Sequence, residues 1–175
     1  RHVVASVPQR ASLVSGTIRS NLPWRDEAAT DEELWAALDA AQASEFVREL
    51  PDGLDSRVEQ GGKNFSGGQR QRLTIARALV RKADQTDFAD AFSPLDVATD
   101  ARLRAALPGI LGERSDLIVA QRVAAIPDAD QIVVLDEGVA VGIGAGQGDG
   151  DRRPLVGGDH LRVGRGRAVV GGDLE

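Results

Sequence analysis

Ser66, Gly67, Gly68, Gln69, Arg70, Gln71 and Arg72 are residue types that can bind an anion, set at the point where a helix begins. The Ser66 hydroxyl and the bare backbone N–H groups of Gly67 and Gly68 lie at the positive end of a helix dipole, and together these favour a phosphate. Glycine, without a Cβ, lets that phosphate come close to the backbone. Leu73, Ala76, Leu79 and Val80 then recur at helical spacing, which turns one face inward and directs Arg70, Gln71 and Arg77 elsewhere. Ser-Gly-Gly taken alone is better read as a glycine-rich helix start with no ligand, so the weight rests on the longer string. The loop pattern that cradles nucleotide phosphates, Gly-x-x-x-x-Gly-Lys followed by Ser or Thr, occurs nowhere in the 175 residues.

The full string closely resembles the signature motif of ATP-binding cassette (ABC) ATPases. The resemblance runs in the family's order from about residue 3 to residue 144 and is strongest toward the exporter type. It implies an α/β fold of the P-loop NTPase, ABC type, present in part: a helical subdomain at about 17–82 and the C-terminal part of the catalytic core, with the Walker A region absent. Val7-Pro8-Gln9 resembles the Q-loop, whose glutamine reaches the magnesium and the attacking water, so Gln9 is the metal contact that the likeness implies. Ala89 and Asp90 stand where the family has the Walker B aspartate and the catalytic glutamate. Ser93, Pro94, Leu95 and Asp96 stand at the D-loop, which crosses the dimer interface, and Gln121 stands where most exporters carry the switch histidine. The resemblance thus makes Asp90 and Gln121 the catalytic positions. It makes Gln9, Ser66, Gly67, Gly68, Gln69 and Asp96 the nucleotide-binding ones, and implies ATP and Mg2+ as cofactors.

Those residues need a frame to hold them. Val3–Val7 reads as a buried strand that Pro8 stops, and because the chain opens on Arg1 with this strand already under way, it is expected to begin inside a domain. Thr17–Leu22 should begin the helical segment. Thr30 with Glu33 makes a capping-box pattern, Leu34, Leu38 and Ala41 line one helical face, and Trp35 is expected to pack. Phe46, Val47 and Leu50 make a short helix that Pro51, Asp52 and Gly53 end. Thr99–Leu107 reads as an exposed helix with Arg102 and Arg104 outward, 117–120 as a strand, and 131–141 as a hairpin about Asp136-Glu137-Gly138. The stretch Gln85, Thr86, Asp87, Phe88, Ala89 puts polar residues at a core-strand position, where a buried Asp87 without a partner would be costly. Beyond Gly144 the glycines are interspersed with Arg and Asp without period. A partial domain at 1–144 is therefore followed by a Gly-rich tail, 145–175, read as disordered, in which His160 is a solvated loop residue.

The length suits one domain, and the net charge of -6 argues against a nucleic-acid partner held by a general basic surface. The absence of cysteine excludes disulfides and thiolate metal sites. There is neither a run of about 18 apolar residues nor a signal-peptide pattern, so any membrane link is expected to come through a partner. The resemblance implies an ATP-binding subunit or fragment of an ABC exporter, at the cytoplasmic face of the cell membrane and peripheral through a transmembrane domain. It would lend its signature to ATP held by a second nucleotide-binding domain. Asp90 is one methylene shorter than glutamate, and a misplaced general base forfeits much of the roughly 10²–10⁴-fold it can supply. With Gln121, this resembles the degenerate-site subunit of heterodimeric exporters, and the chain alone should not hydrolyse ATP. Two alternatives stay open. Ala89, the polar strand and the tail favour a non-catalytic remnant of a decayed gene. An ABC ATPase of DNA maintenance fits less well, since such proteins place long coiled coils where only a compact segment separates Gln9 from Ser66.

Overall fold

Ala5 and Val7 are buried while Val4 and Ser6 on the other side are exposed, so the first apolar run forms a strand with one covered face, β1 (Val4–Val7), rather than one buried on both. The computed structural model describes residues 4–23, 29–112, 114–119, 129–136, 139–144 and 167–172. A largely helical part follows: β2 (Gly16–Thr17), α1 (Ile18–Asn21), α2 (Asp31–Ala40), α3 (Ser44–Glu49), β3 (Arg57–Val58) and α4 (Gly67–Val80). Three of its helices begin with capping boxes, in which Thr17, Thr30 and Ser66 pair reciprocally with Ser20, Glu33 and Gln69. Each satisfies donors that a helix start would otherwise leave orphaned. Leu34, Leu38 and Ala41 are buried as their spacing requires, and α2 packs on α4.

The remaining elements are β4 (Gln85–Ala89), α5 (Val97–Leu111), β5 (Ser115–Val119), β6 (Gln131–Asp136), β7 (Val139–Gly144) and β8 (Arg167–Gly172). With β1 they build a six-stranded sheet in the order β1-β4-β5-β8-β6-β7. It is parallel from β1 through β6, and β7 returns antiparallel to β6 with an irregularity at Val134/Leu135. The polar strand β4 is accommodated by alternation. Thr86 and Phe88 are buried on one face, where Phe88 lies between Val7 and Ile118 in register and stacks on Phe92 at 5.2 Å. Gln85, Asp87 and Ala89 lie half-buried on the other.

Two expectations need correction. The helix foreseen as exposed over Thr99–Leu107 is α5, which buries Thr99, Leu103, Leu107 and Leu111. Arg102 does point outward. Arg104 instead pairs with Asp100 at 2.5 Å and lays its guanidinium over the Phe92 ring at 4.3 Å, so its stem covers apolar surface. The second correction falls in the tail, where Arg167–Gly172 forms β8 between β5 and β6, pairing Leu117 with Ala168 and Ile132 with Val169. Val169 and Val170 have the branched shape that strands favour, and β8 closes the open parallel edges that β5 and β6 would otherwise present.

Candidate functional site

Because Val7 pairs with Phe88, the exits of β1 and β4 lie side by side at the carboxyl edge of the sheet, where ligands of open α/β sheets bind. Gln9 leaves one exit and Asp90 the other, and Gln9 Nε2 donates to Asp90 Oδ2 at 2.8 Å. Asp90 has a φ of +50°, uncommon for a residue with a side chain. It is held there because its N–H donates to the Val119 carbonyl at 3.2 Å and its own carbonyl accepts from Ser93 Oγ at 3.2 Å. The Gln9 amide oxygen and the Asp90 carboxylate are hard oxygen donors. That set fits Mg2+, which takes one or two protein oxygens beside waters and phosphates. Ala89, the last residue of β4, offers only a methyl group. Among the described residues no group of three or more His, Cys, Asp or Glu could hold a metal by itself.

The start of α4 is the second half of the site. Ser66 Oγ accepts the Gln69 N–H at 3.2 Å and Gln69 Oε1 accepts the Ser66 N–H at 2.9 Å, which fixes the turn. The first intrahelical donor is the Arg70 N–H, bonded to the Ser66 carbonyl at 2.9 Å, so the N–H groups of Gly67 and Gly68 precede the ladder. A Cβ at Gly67 would meet nothing within 4 Å, and one at Gly68 only the Pro94 carbonyl at 3.8 Å. Neither has a positive φ. Among the described residues nothing therefore requires glycine here, although glycine is a poorer helix former than alanine. Gly62 is the opposite case, because its φ is +67° and a Cβ there would press on Leu13 and Arg70 atoms at 2.9 Å.

The polar residues of α4 do not point where periodicity placed them. Arg70 folds back so that Nη1 donates to the Phe65 carbonyl at 2.6 Å. Gln71 is 1% exposed, and its Nε2 donates to the Pro8 carbonyl at 3.1 Å. Arg77 is drawn inward, donating from Nε to the Asn21 carbonyl at 2.8 Å, and burial pushes its guanidinium pKa down. Asn21, not foreseen as important, is buried and bridges both Val14 backbone groups, each at 2.9 Å. The signal for Gln71 was present, since it shares a helical stripe with Ile75 and Ala78, both buried.

Asp96 caps α5, accepting the Thr99 N–H at 3.0 Å, and its bonds to Thr99 hold the carboxyl below the usual 3.8. The segment before it lies beside the α4 start through the Pro94 carbonyl. Gln121 lies outside the described residues; β5, which precedes it, ends at Val119 opposite Ala89.

A parallel sheet with an amide and a carboxylate at its carboxyl edge, next to an outward glycine turn, is the frame of an α/β nucleotide-binding domain. Comparison with known proteins gives the family. The profile of the ABC transporter family matches residues 1–86. An uncharacterised ABC transporter ATP-binding protein of Mycobacterium tuberculosis is 48% identical over 142 residues, 79% of this chain and 24% of the relative. An ATP-dependent lipid A-core flippase of Chromobacterium violaceum is 39% identical over 135 residues, 77% of this chain and 23% of the relative. A multidrug resistance ABC transporter ATP-binding and permease protein of Lactococcus lactis is 39% identical over 143 residues, 81% and 24% of the respective chains. The solved structure of a bacterial Atm1-family ABC exporter with ATP bound matches with a TM-score of 0.77 at 33% identity, covering 82% of this chain and 25% of that one. The chain belongs to the ABC transporter family and carries part of its ATP-binding domain, in the α/β fold that the signature string implied. It spans about a quarter of the length of the curated relatives it matches.

Proposed function

We propose that this chain is the ATP-binding part of an ABC exporter and lends its Ser66–Gly68 turn to the terminal phosphate of ATP held by a second nucleotide-binding domain. The observation that carries this is the glycine pair. Among the described residues no contact or backbone angle needs Gly67 or Gly68 to be glycine, which suits a ligand approaching the helix start from outside. Ser66 would add a hydroxyl donor, and Gln69 keeps the turn shaped for both.

At the sheet edge, Gln9 and Asp90 would be this chain's contribution to its own nucleotide site. Mg2+, when bound, neutralises phosphate charge and orients oxygens. Gln9 would face it through the amide oxygen, while Asp90, short by one methylene and already bonded to Gln9, positions a water poorly. With Gln121, this supports a degenerate-site subunit paired with a competent one in a heterodimer, a pairing that does not account for Ala89. The chain alone is expected not to turn over ATP, because the Walker A pattern is missing from its residues.

A transmembrane domain is the second partner in this reading, placing the chain at the cytoplasmic face of the cell membrane. The Lactococcus relative is named as ATP-binding and permease protein, and among the described residues no helix is long and apolar enough to cross a membrane. The acidic net charge leaves nucleic acid out of the reading. The remnant alternative is favoured by one observation, the buried Oδ1 of Asp87 in a central strand, which has no partner among the described residues. Light scattering of the chain mixed with a complete ABC nucleotide-binding subunit, with and without ATP and magnesium, separates the two. Association that requires ATP is the expected result; a folded chain that never associates overturns the proposal in favour of the remnant.

A further inference from the structure

We infer that Gln71 is a positioning residue that ties the start of α4 to Gln9, so that contact at the Ser66–Gly68 turn is transmitted to the Gln9–Asp90 pair. The tie itself rests on geometry, and the transmission rests on the role proposed above for the turn. Gln71 lies in the first turns of α4 and is 1% exposed, yet its side chain is an amide in a stripe otherwise made of Ile75 and Ala78. An apolar side chain of the same volume would fill that space. What the amide adds is a hydrogen bond from Nε2 to the Pro8 carbonyl at 3.1 Å, across 63 positions of sequence.

That oxygen is a particular one. The Pro8 carbonyl and the Gln9 N–H belong to one planar peptide unit, and the Pro8 ring fixes φ on the other side, so holding the oxygen sets the direction in which Gln9 leaves β1. Gln9 then reaches Asp90 Oδ2 at 2.8 Å. At the far end of α4, Arg81 Nη1 donates to the Val4 carbonyl at 3.1 Å. The helix is thus fastened to both ends of β1. A displacement of its first turn, where Ser66 lies, pivots on the Arg81 end and is felt at Pro8. One continuous path of bonds therefore joins the turn that faces a partner's nucleotide to the carboxylate at this chain's own sheet edge.

The test is side-chain amide NMR on the ¹⁵N-labelled chain. In the wild type, the Gln71 amide protons should exchange on the order of tenfold or more slowly than those of exposed glutamines. Exchange at the exposed rate means the bond is absent and overturns the inference without any variant. Gln71→Met keeps the volume and removes the donor, and should move the Gln9 side-chain amide resonances in the free chain; unmoved resonances overturn the tie. In Gln71→Glu, acidification should return the Gln9 resonances toward their wild-type positions as the protonated carboxyl donates to Pro8, beyond the change that Asp90 gives in a parallel titration of Gln71→Met. With a complete nucleotide-binding subunit and ATP at saturation, Gln9 should shift in the wild type and not in Gln71→Met. Equal shifts overturn the transmission. Failure of the wild type to associate sinks the proposed function instead, while the free-chain measurements still decide the tie.

Discussion

Asp87 presents Oδ1 to the interior with no hydrogen-bond partner among the described residues, and desolvation raises its carboxyl pKa above the usual 3.8. The native state therefore binds this proton more tightly than the unfolded chain does. The stability it lends is complete below 3.8 and is lost as pH rises through the elevated folded value. Asp87→Val should remove that decline and, by deleting one unsatisfied oxygen and adding a strand-favouring side chain, stabilise the chain at neutral pH by about 1 kcal/mol. Urea unfolding at several pH values reads both effects. Asp96, Asp55 and Glu33 act with the opposite sign. Bonds from Thr99, Arg19 and Lys82 hold them low, so their support is present above the ordinary carboxylate range and lost as pH falls through the lowered values. The comparison with Asp87→Val isolates the one residue from these.

Helix α4 has two separable jobs concentrated at its N-cap. Ser66 caps the helix, and it is proposed to meet a phosphate. Ser66→Asp separates them, because aspartate caps as well as serine but its charge repels an anion. Stability should stay within about 0.5 kcal/mol of wild type, read by thermal unfolding, while ATP-dependent association is lost. The last turn of α4 is tied to α1 through Arg77. Asn21 satisfies both Val14 backbone groups and receives Arg77, so Asn21→Ala should cost about 2–4 kcal/mol in denaturant unfolding by leaving those groups half-buried and unpaired. The start of α4 and its apolar stripe were legible in Ser66, Gly67, Leu73, Ala76 and Leu79. The inward turn of Arg77 and the carbonyl that Gln71 reaches were not. Long polar side chains can cross a helix face to a carbonyl that only another element supplies.

The six-stranded sheet joins distant parts of the chain, and β8 is the strand through which β5 and β6 belong to the same sheet. Val169→Pro removes an N–H donor from that central strand and should destabilise the chain by about 2 kcal/mol or more. Hydrogen exchange should show β5 and β6 losing protection together. Unchanged protection in both would mean that the sheet does not depend on β8.

Local chemistry was readable before any coordinates. The capping box at Thr30, the helix start at Ser66, the turn after Leu50, the hairpin pattern flanking Asp136 and the signature string each lie within a few neighbouring residues, where bond geometry and side-chain reach settle the outcome. The meeting of Gln9 with Asp90, the cross-link from Gln71 to Pro8, the covered face of α5 and the capture of β8 were decided by tertiary structure. Each joins groups far apart in the chain, and its free energy depends on strand register and on which polar groups burial leaves without water.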